Sequence, residues 1–122
     1  MTDRECLSCG MRETALRFEL DQVPPHLVCP KCDQDLYLQH DGSFLTRDIA
    51  HSRETVARAL EKLDKLLLDG WRSHGRGVRI IVGGGLIREQ VLGQLYYYRS
   101  RGIVREFHED SPNHGAIVAV LR

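Results

Sequence analysis

The chain carries two matched stretches, Cys6-Leu7-Ser8-Cys9 and Cys29-Pro30-Lys31-Cys32, and they decide how its first third is built. Each stretch has the spacing C-x-x-C, nineteen residues separate the two pairs, and the chain has four cysteines in all. This spacing is typical of a tetrahedral zinc site, because each tight turn directs two sulfur atoms toward one ion. We therefore predict one zinc ion with Cys6, Cys9, Cys29 and Cys32 as ligands. Because four sulfur ligands fill the coordination sphere, this zinc is expected to be structural.

The cysteines have an alternative interpretation as two redox-active motifs. A thioredoxin-type C-x-x-C precedes a helix within a βαβ unit, and neither pair here is followed by a helical pattern. The first five residues are polar and lack the apolar stretch of a secretory signal, and no run of about 18 apolar residues predicts a transmembrane helix. We therefore expect a cytoplasmic protein that does not enter the membrane, whose reduced thiols favour metal binding over disulfides.

Charge is distributed unevenly along the chain. Residues 1–44 hold four Lys or Arg and eight Asp or Glu, whereas residues 45–122 hold thirteen and nine. The second part is therefore the candidate for contact with a polyanion such as nucleic acid, and the acidic first part is a candidate for contact with a protein partner.

The first 44 residues have the outline of a zinc ribbon, in which short strands alternate with the two cysteine turns. An alternation of apolar and charged residues predicts a strand over 15–20. A second, weaker pattern predicts a strand over 35–40. Asp41-Gly42-Ser43 is a turn signal, and it places a domain boundary between a ribbon, 1–44, and a second domain, 45–122.

The second domain alternates strand and helix patterns in the order β-α-β-α-β-β. Ser52 is a suitable N-cap for the first helix, and Gly70 and Gly102 are expected to end the two helices. This order predicts a two-layer α/β (α+β) domain, with helices packed on one sheet and parallel first connections. The strands are predicted at residues 45–50, 78–82, 103–107 and 116–121, and the apolar helical stripes are Val56, Leu60, Leu63 and Leu67 in the first helix and Ile87, Val91, Leu95 and Tyr98 in the second.

Four stretches of this domain match a known pattern: Asp48-Ile49-Ala50-His51, the strand and turn over 78–85, Ile87-Arg88-Glu89, and Gly115-Ala116-Ile117-Val118. They resemble the Smr (small MutS-related) domain, which has an opening L-D-x-H-G strand, a strand ending in H-G-K-G-x-G, a helix opening with L-R, and a closing G-A-x-x-V strand. The resemblance covers residues 46–122. It implies an Smr-like fold and binding to nucleic acid, with endonuclease activity in several family members.

The same resemblance shows departures at the residues implicated in the family's nicking activity. In the D-x-H motif, Ala50 takes the place of the histidine and His51 follows one position later. Because side chains alternate along a strand, we expect His51 to point away from Asp48 unless a bulge intervenes. In the second motif, Val82 and Gly84 replace the histidine and the lysine. The resemblance therefore implies a degenerate Smr domain that has lost nuclease activity.

The candidate contacts to nucleic acid are glycines and arginines near the second strand of the domain. The triple glycine, 83–85, joins a strand to a helix, and it is either a phosphate cradle at the helix N-terminus or simply a tight turn. Trp71 either stacks on a base or lies in the core. The predicted contact set is Arg72, Arg76, Arg79, Gly83, Gly84, Gly85 and Arg88, which would hold backbone phosphates.

The leading interpretation is a nucleic-acid-binding protein, with DNA or RNA as its partner and a zinc ribbon as its stabiliser. The first alternative is a structure-directed endonuclease that uses Asp48, His51 and a divalent metal ion. The second alternative is a protein-interaction adaptor without affinity for nucleic acid.

Overall fold

The computed structural model describes residues 2–15, 19–22, 26–51, 54–110 and 113–122. Within them the chain is a mixed α+β protein with two sheets and two α-helices. The elements are β1 (Thr2–Glu5), β2 (Arg12–Ala15), a 3-10 helix (Leu20–Gln22), β3 (Phe44–Asp48), α1 (Val56–Arg72), β4 (Gly77–Ile81), α2 (Leu86–Ser100), β5 (Glu106–Asp110) and β6 (Asn113–Val120).

Four strands form the larger sheet, in the order β3-β4-β6-β5. β3 and β4 are parallel, with Phe44 opposite Gly77 and Asp48 opposite Ile81. β6 is antiparallel to both β4 and β5, so β5 runs in the same direction as β4. Both helical connections therefore join strands of one direction, and the predicted order β-α-β-α-β-β is confirmed. We call the edge where β3, β4 and β5 finish the carboxyl end of the sheet, and the edge where they begin the amino end.

The helices cover one face of this sheet. Val78 and Ile80 of β4 lie in the main hydrophobic core, whereas Arg79 between them is only half-buried. The predicted helical stripes supply the opposing surface, since Leu63 in α1 and Leu95 in α2 are completely buried. Periodicity alone thus identifies which face of each helix enters the core.

α1 begins later than the sequence predicts. Its N-cap is Thr55, whose hydroxyl accepts a hydrogen bond from the backbone N–H of Arg58 at 3.2 Å. Ser52, the predicted N-cap, lies outside the described residues. A threonine hydroxyl satisfies the same kind of free N–H group that a serine would, and the cap lies three residues after the predicted one.

Gly70 does not end α1, contrary to the prediction, and the helix continues to Arg72. The glycine is needed for close packing instead: a Cβ atom there would lie 2.7 Å from Val78 Cγ1 and 2.9 Å from Leu121 Cδ1. The two further helical residues include Trp71, which is 1% exposed in the core and donates from Nε1 to the carbonyl of Ile103 at 3.0 Å. Of the two interpretations of Trp71, the core residue is therefore the one that the structure shows.

The amino-terminal strands differ from the prediction over 35–40. Only an isolated bridge, Val28 to Asp35, is present there. Asp35 then ends the pairing, because its carboxylate accepts the backbone N–H groups of Tyr37 at 2.9 Å and Leu38 at 3.2 Å, which forms a turn. For the strand predicted over 15–20, Leu20 begins a 3-10 helix and residues 16–18 lie outside the described part of the chain.

β5 begins at Glu106, not at Ile103 as predicted. After α2 the chain reverses at Gly102, whose φ is +79°. The backbone N–H groups of Ile103 and Val104 then both bond to the carbonyl of Tyr98, at 2.9 and 3.4 Å. These two apolar residues are consequently buried in the connection instead of in a strand.

A buried arginine joins the cysteine-containing part to the end of α1. Arg4 is 3% exposed. It donates from Nε to the carbonyl of Leu36 at 2.8 Å, from Nη1 to that of Arg72 at 2.8 Å and from Nη2 to that of Ser73 at 3.0 Å. One guanidinium group thus satisfies carbonyls in both parts, including two at the negative end of a helix.

Arg122 makes the reciprocal connection. It is 5% exposed, and it donates to the carbonyl of Tyr37 at 2.8 Å and to that of Gly70 at 2.5 Å. Its guanidinium carbon lies 5.0 Å from the centre of the Trp71 ring. Because Tyr37 also belongs to the main core, the two predicted domains share apolar packing and buried polar contacts at the amino end of the sheet.

Candidate metal centre and carboxyl end of the sheet

The four cysteine sulfur atoms form one cluster, all within 4.8 Å of one another. Sγ of Cys6 lies 3.5 Å from that of Cys32, and Sγ of Cys9 lies 3.7 Å from that of Cys29. A tetrahedral zinc ion with bonds of about 2.3 Å requires sulfur atoms about 3.8 Å apart. The cluster therefore has the size and donor set to hold a metal ion such as zinc.

The two cysteine turns have the same backbone geometry. The N–H of Gly10 donates to the carbonyl of Cys6 at 2.7 Å, and the N–H of Asp33 donates to the carbonyl of Cys29 at 2.9 Å. The residue after each C-x-x-C has a left-handed conformation, with φ of +77° at Gly10 and +63° at Asp33. Glycine adopts this conformation freely, and aspartate tolerates it better than most residues. The sequence thus provides each turn with a residue suited to its end.

Gln39 supports the cluster from outside the two motifs. Its Nε2 donates to Sγ of Cys6 at 3.3 Å, and its Oε1 accepts the N–H of Leu7 at 2.8 Å. The Gln39 hydrogen bond is the largest of the causes that lower the pKa of the Cys6 thiol to about 6. A lowered pKa favours the thiolate, which is the form that binds metal. The C-x-x-C spacing does not predict this contact, because Gln39 lies 33 residues from Cys6 in the chain.

The pKa of Cys32 shows why the cluster favours a positively charged occupant. A hydrogen bond from Gln34 acts to lower its pKa, but burial and the neighbouring thiols outweigh that effect and raise the pKa of Cys32 to about 12. Several thiolates cannot share so small a volume without a compensating positive charge. A divalent cation supplies that charge, so the chemistry of the donor set fits zinc.

A second group of polar residues lies at the carboxyl end of the sheet, where β3 finishes. Oδ1 of Asp48 accepts the N–H groups of Ala50 at 2.9 Å and His51 at 3.1 Å, and Oδ2 lies 2.7 Å from Nδ1 of His51. The expectation that His51 points away from Asp48 is therefore wrong. β3 ends at Asp48, and the aspartate side chain folds the next residues into a turn, so the alternation of a strand no longer applies.

The carboxylate of Asp48 determines which ring nitrogen of His51 carries the proton in their contact. Partial burial acts to raise the pKa of Asp48, but the hydrogen bonds from Ala50 and His51 outweigh it and hold the pKa below its ordinary value. A carboxylate that is ionised accepts hydrogen bonds only, so Nδ1 of His51 is the donor in this contact. Nε2 of His51 is left as the ring nitrogen that faces outward from Asp48.

His51 lies directly against the triple glycine. A Cβ atom on Gly83 would lie 3.2 Å from Nε2 of His51, and Gly83 has a φ of +65°. The turn is held on its other side by Gly115, whose carbonyl accepts the N–H of Gly83 at 3.0 Å. Val82 is 2% exposed within the core and does not occupy this position. Asp48, His51 and the start of the glycine turn therefore meet, and the Asp48 and His51 side chains are 43% and 57% exposed.

The arginines predicted to accompany this turn are paired with acids. Arg79 Nε lies 2.7 Å from Asp110 Oδ2, and Arg88 forms an ion pair with Glu109. Arg72 and Arg76 are exposed, but they lie at the amino end of the sheet, before β4 begins. The predicted contact set is thus divided between the two ends of β4.

Comparison of the chain with protein-family models, with curated proteins and with solved structures gives no match. In the described part of the chain, no helix is long and apolar enough to cross a membrane. Two features of the chain's own geometry therefore point to function: the four-cysteine cluster, and the exposed pair of Asp48 and His51 against Gly83.

Proposed function

We propose that the protein binds nucleic acid, DNA or RNA, and that it consists of a zinc ribbon and a degenerate Smr-like domain. The observation that carries this proposal is the contact of His51 with Gly83, which brings an exposed imidazole to a glycine turn at the N-terminus of α2. Backbone N–H groups at a helix N-terminus donate to phosphate, and an imidazolium, which carries a proton on both ring nitrogens, can donate from the nitrogen that faces away from Asp48. The excess of basic residues after residue 44 supports the same partner.

The ribbon has a structural role in this proposal. Zinc at Cys6, Cys9, Cys29 and Cys32 stabilises the amino-terminal part, which Arg4 and Arg122 connect to α1. A reducing, cytoplasmic setting would keep the four thiols available for the ion. The resemblance of residues 46–122 to the Smr domain, and their β-α-β-α-β-β order, support the division into two units.

The test is the binding of fluorescein-labelled oligonucleotides by the full chain, followed by fluorescence anisotropy. If about six phosphates are neutralised, affinity falls roughly 10³-fold between 50 and 200 mM salt. His51→Ala should weaken binding about tenfold, the worth of one charge-assisted hydrogen bond, whereas His26→Ala, an exposed histidine in the ribbon, should not. An affinity independent of salt, or equal effects of the two substitutions, contradicts the proposal.

One observation favours the endonuclease as a second candidate. The 2.7 Å contact of Asp48 with His51 orients Nε2 outward, as a general base requires, and Asp48 offers oxygen to a divalent cation. Branched and single-stranded substrates incubated with the protein and Mg²⁺ or Mn²⁺ test it. Cleavage that is lost in Asp48→Ala supports this candidate, and the absence of cleavage of every substrate removes it.

A further inference from the structure

The carboxyl-terminal half of α2 presents a second, chemically different surface. Tyr96 and Tyr97 are 56% and 50% exposed, while Tyr98 is buried. Three exposed arginines accompany them, two at the end of α2 and one just before β5. We call this group the arginine–tyrosine surface; it consists of Tyr96, Tyr97, Arg99, Arg101 and Arg105. Since a helix rises about 1.5 Å per residue, it lies about 20 Å from the glycine turn at the other end of α2.

Aromatic rings, not carboxylates, hold two of these arginines. The guanidinium carbon of Arg99 lies 4.9 Å from the centre of the Tyr96 ring and 5.3 Å from that of Phe107. That of Arg101 lies 5.9 Å from the Tyr97 ring. Within the described ranges, no ion pair involves Arg99, Arg101 or Arg105. A ring orients a guanidinium without cancelling its charge, so these groups are ordered and still available to an anion.

A cavity of about 560 Å³ adjoins this surface. Leu38, which is 55% exposed, provides its accessible apolar wall, with the almost completely buried Trp71 and Val104 behind it. Arg99 and Arg105 contribute positive charge. Among the described residues that line it, none is acidic. The volume is within the range of sites that enclose small ligands or ligand groups. Apolar walls beside fixed cations suit a ligand that has both a flat apolar part and a negative charge.

We propose that this cavity and the arginine–tyrosine surface bind single-stranded nucleic acid, with one unpaired base in the cavity and the adjoining phosphates on Arg99 and Arg105. The proposal rests on the proposed function, since it names the form of nucleic acid that is bound and the place where it binds. A base inside a duplex is stacked and paired and cannot enter, whereas a single strand can turn a base outward. An acidic peptide would satisfy the arginines but not the apolar wall at Leu38.

The test compares two double variants of the zinc-loaded full chain. Arg99→Ala/Arg105→Ala removes two of the proposed phosphate contacts, and Arg12→Ala/Arg58→Ala removes the same charge from exposed arginines elsewhere. The probes are fluorescein-labelled oligo(dT) of twelve nucleotides and the same strand paired with oligo(dA). We expect the first variant to bind the single strand at least tenfold more weakly, with a salt dependence reduced by about 1.4 in log–log slope. The control variant should bind within about twofold of the unmodified chain, and urea unfolding should show both to be folded.

A second pair of variants tests the cavity itself. Leu38→Glu places a carboxylate at the cavity wall, and since Leu38 is 55% exposed the core is left intact. Leu7→Glu makes the same change at an exposed leucine of the ribbon that does not line the cavity. We expect Leu38→Glu to lose most of the single-strand affinity and Leu7→Glu to retain it.

The binding measurements distinguish a wrong second surface from a wrong proposed function. If the unmodified chain binds no oligonucleotide even at 50 mM salt, both are wrong. If His51→Ala weakens binding and Arg99→Ala/Arg105→Ala does not, the proposed function stands and the second surface is refuted. The inference also fails if the duplex binds as tightly as the single strand, or if poly-L-glutamate of equal charge competes as well as oligo(dT).

Discussion

The two ends of the sheet hold their arginines in different ways. At the carboxyl end, Arg79 and Arg88 pair with carboxylates of β5. At the amino end, Arg99 rests on the rings of Tyr96 and Phe107. A carboxylate removes the net charge of its partner, whereas an aromatic ring leaves it in place. The affinity of a surface for phosphate therefore depends less on how many arginines lie near it than on which groups those arginines contact.

The ends differ again in what holds them together. The carboxyl end depends on contacts within the second predicted domain, such as the Asp48 turn and the bond of Gly83 to Gly115. The amino end depends on contacts between residues far apart in the chain, through Arg4 and Arg122, and on the cysteine cluster beyond them. Changes to the cysteine-containing part should accordingly disturb the amino end first, and the predictions below test that difference.

Removal of the proposed zinc ion should have the largest effect. Structural zinc contributes on the order of 10 kcal/mol to small four-ligand domains, as much as the whole stability of many proteins. Chelation should unfold the ribbon and expose Trp71, the one tryptophan in the chain, which is 1% exposed in the folded protein. The measurements are zinc content, expected at one equivalent, and tryptophan emission, expected to shift to longer wavelength and to recover when zinc is restored. An unchanged emission after complete removal of the metal would contradict the coupling.

The features that sequence predicted correctly are local or periodic. The C-x-x-C spacing requires only a short turn around an ion, and the cluster is found where the motif places it. The stripes through Leu63 and Leu95 repeat with the helix, so burial follows from spacing. The sequence does not predict the long-range contacts. No spacing rule connects Arg4 with Ser73, because the burial of that arginine and the choice of its partners depend on how separate elements pack.

Replacement of Arg4 should have the next largest effect. Arg4→Met keeps an unbranched apolar stem but leaves three carbonyls without their charged donor. Loss of hydrogen bonds from a charged group to buried partners costs roughly 3 kcal/mol. Arg12→Met, at an exposed arginine of the adjacent strand, should change the free energy of unfolding by less than about 0.5 kcal/mol. Urea unfolding of the zinc-loaded variants measures both, and equal values would show that Arg4 does not join the two parts.

A smaller effect is expected at Gly70, in the last turns of α1. Gly70→Ala places a methyl group against Val78 and Leu121, and overpacking of this kind costs about 1–3 kcal/mol. Gly93→Ala in α2 is the matched control, because nothing lies within 4 Å of the new methyl group. Alanine is the better helix former, so the control should gain roughly 0.5–1 kcal/mol. Thermal or urea unfolding measures the two changes in stability, which should have opposite signs. A gain in stability at both positions would mean that α1 does not pack closely on β4.

The meeting of Asp48 and His51 shows a limit of pattern reasoning. The alternation of strand side chains placed the two residues on opposite faces, and that rule holds only while the strand continues. Asp48 is the last residue of β3, and its own carboxylate makes the turn that brings His51 back. Aspartate followed by a turn is a recognisable signal, but the sequence does not say at which residue pairing with β4 stops.

The smallest predicted effect concerns Asp48 and its dependence on pH. The pKa of Asp48 is held below the ordinary value of 3.8, so the folded state binds its proton less readily than the unfolded chain does. The carboxylate therefore contributes stability above that value, and the contribution disappears as pH falls through the lowered pKa. Asp48→Asn should cost less than about 1 kcal/mol at pH 7, since the side chain is 43% exposed. The difference from the unmodified chain should shrink toward zero as the pH falls below 3.8 and through the lowered pKa of Asp48, measured by urea unfolding at acid pH. A difference that is constant with pH would show that the charge of Asp48 does not hold the turn, and that the carboxyl end owes its shape to the glycines alone.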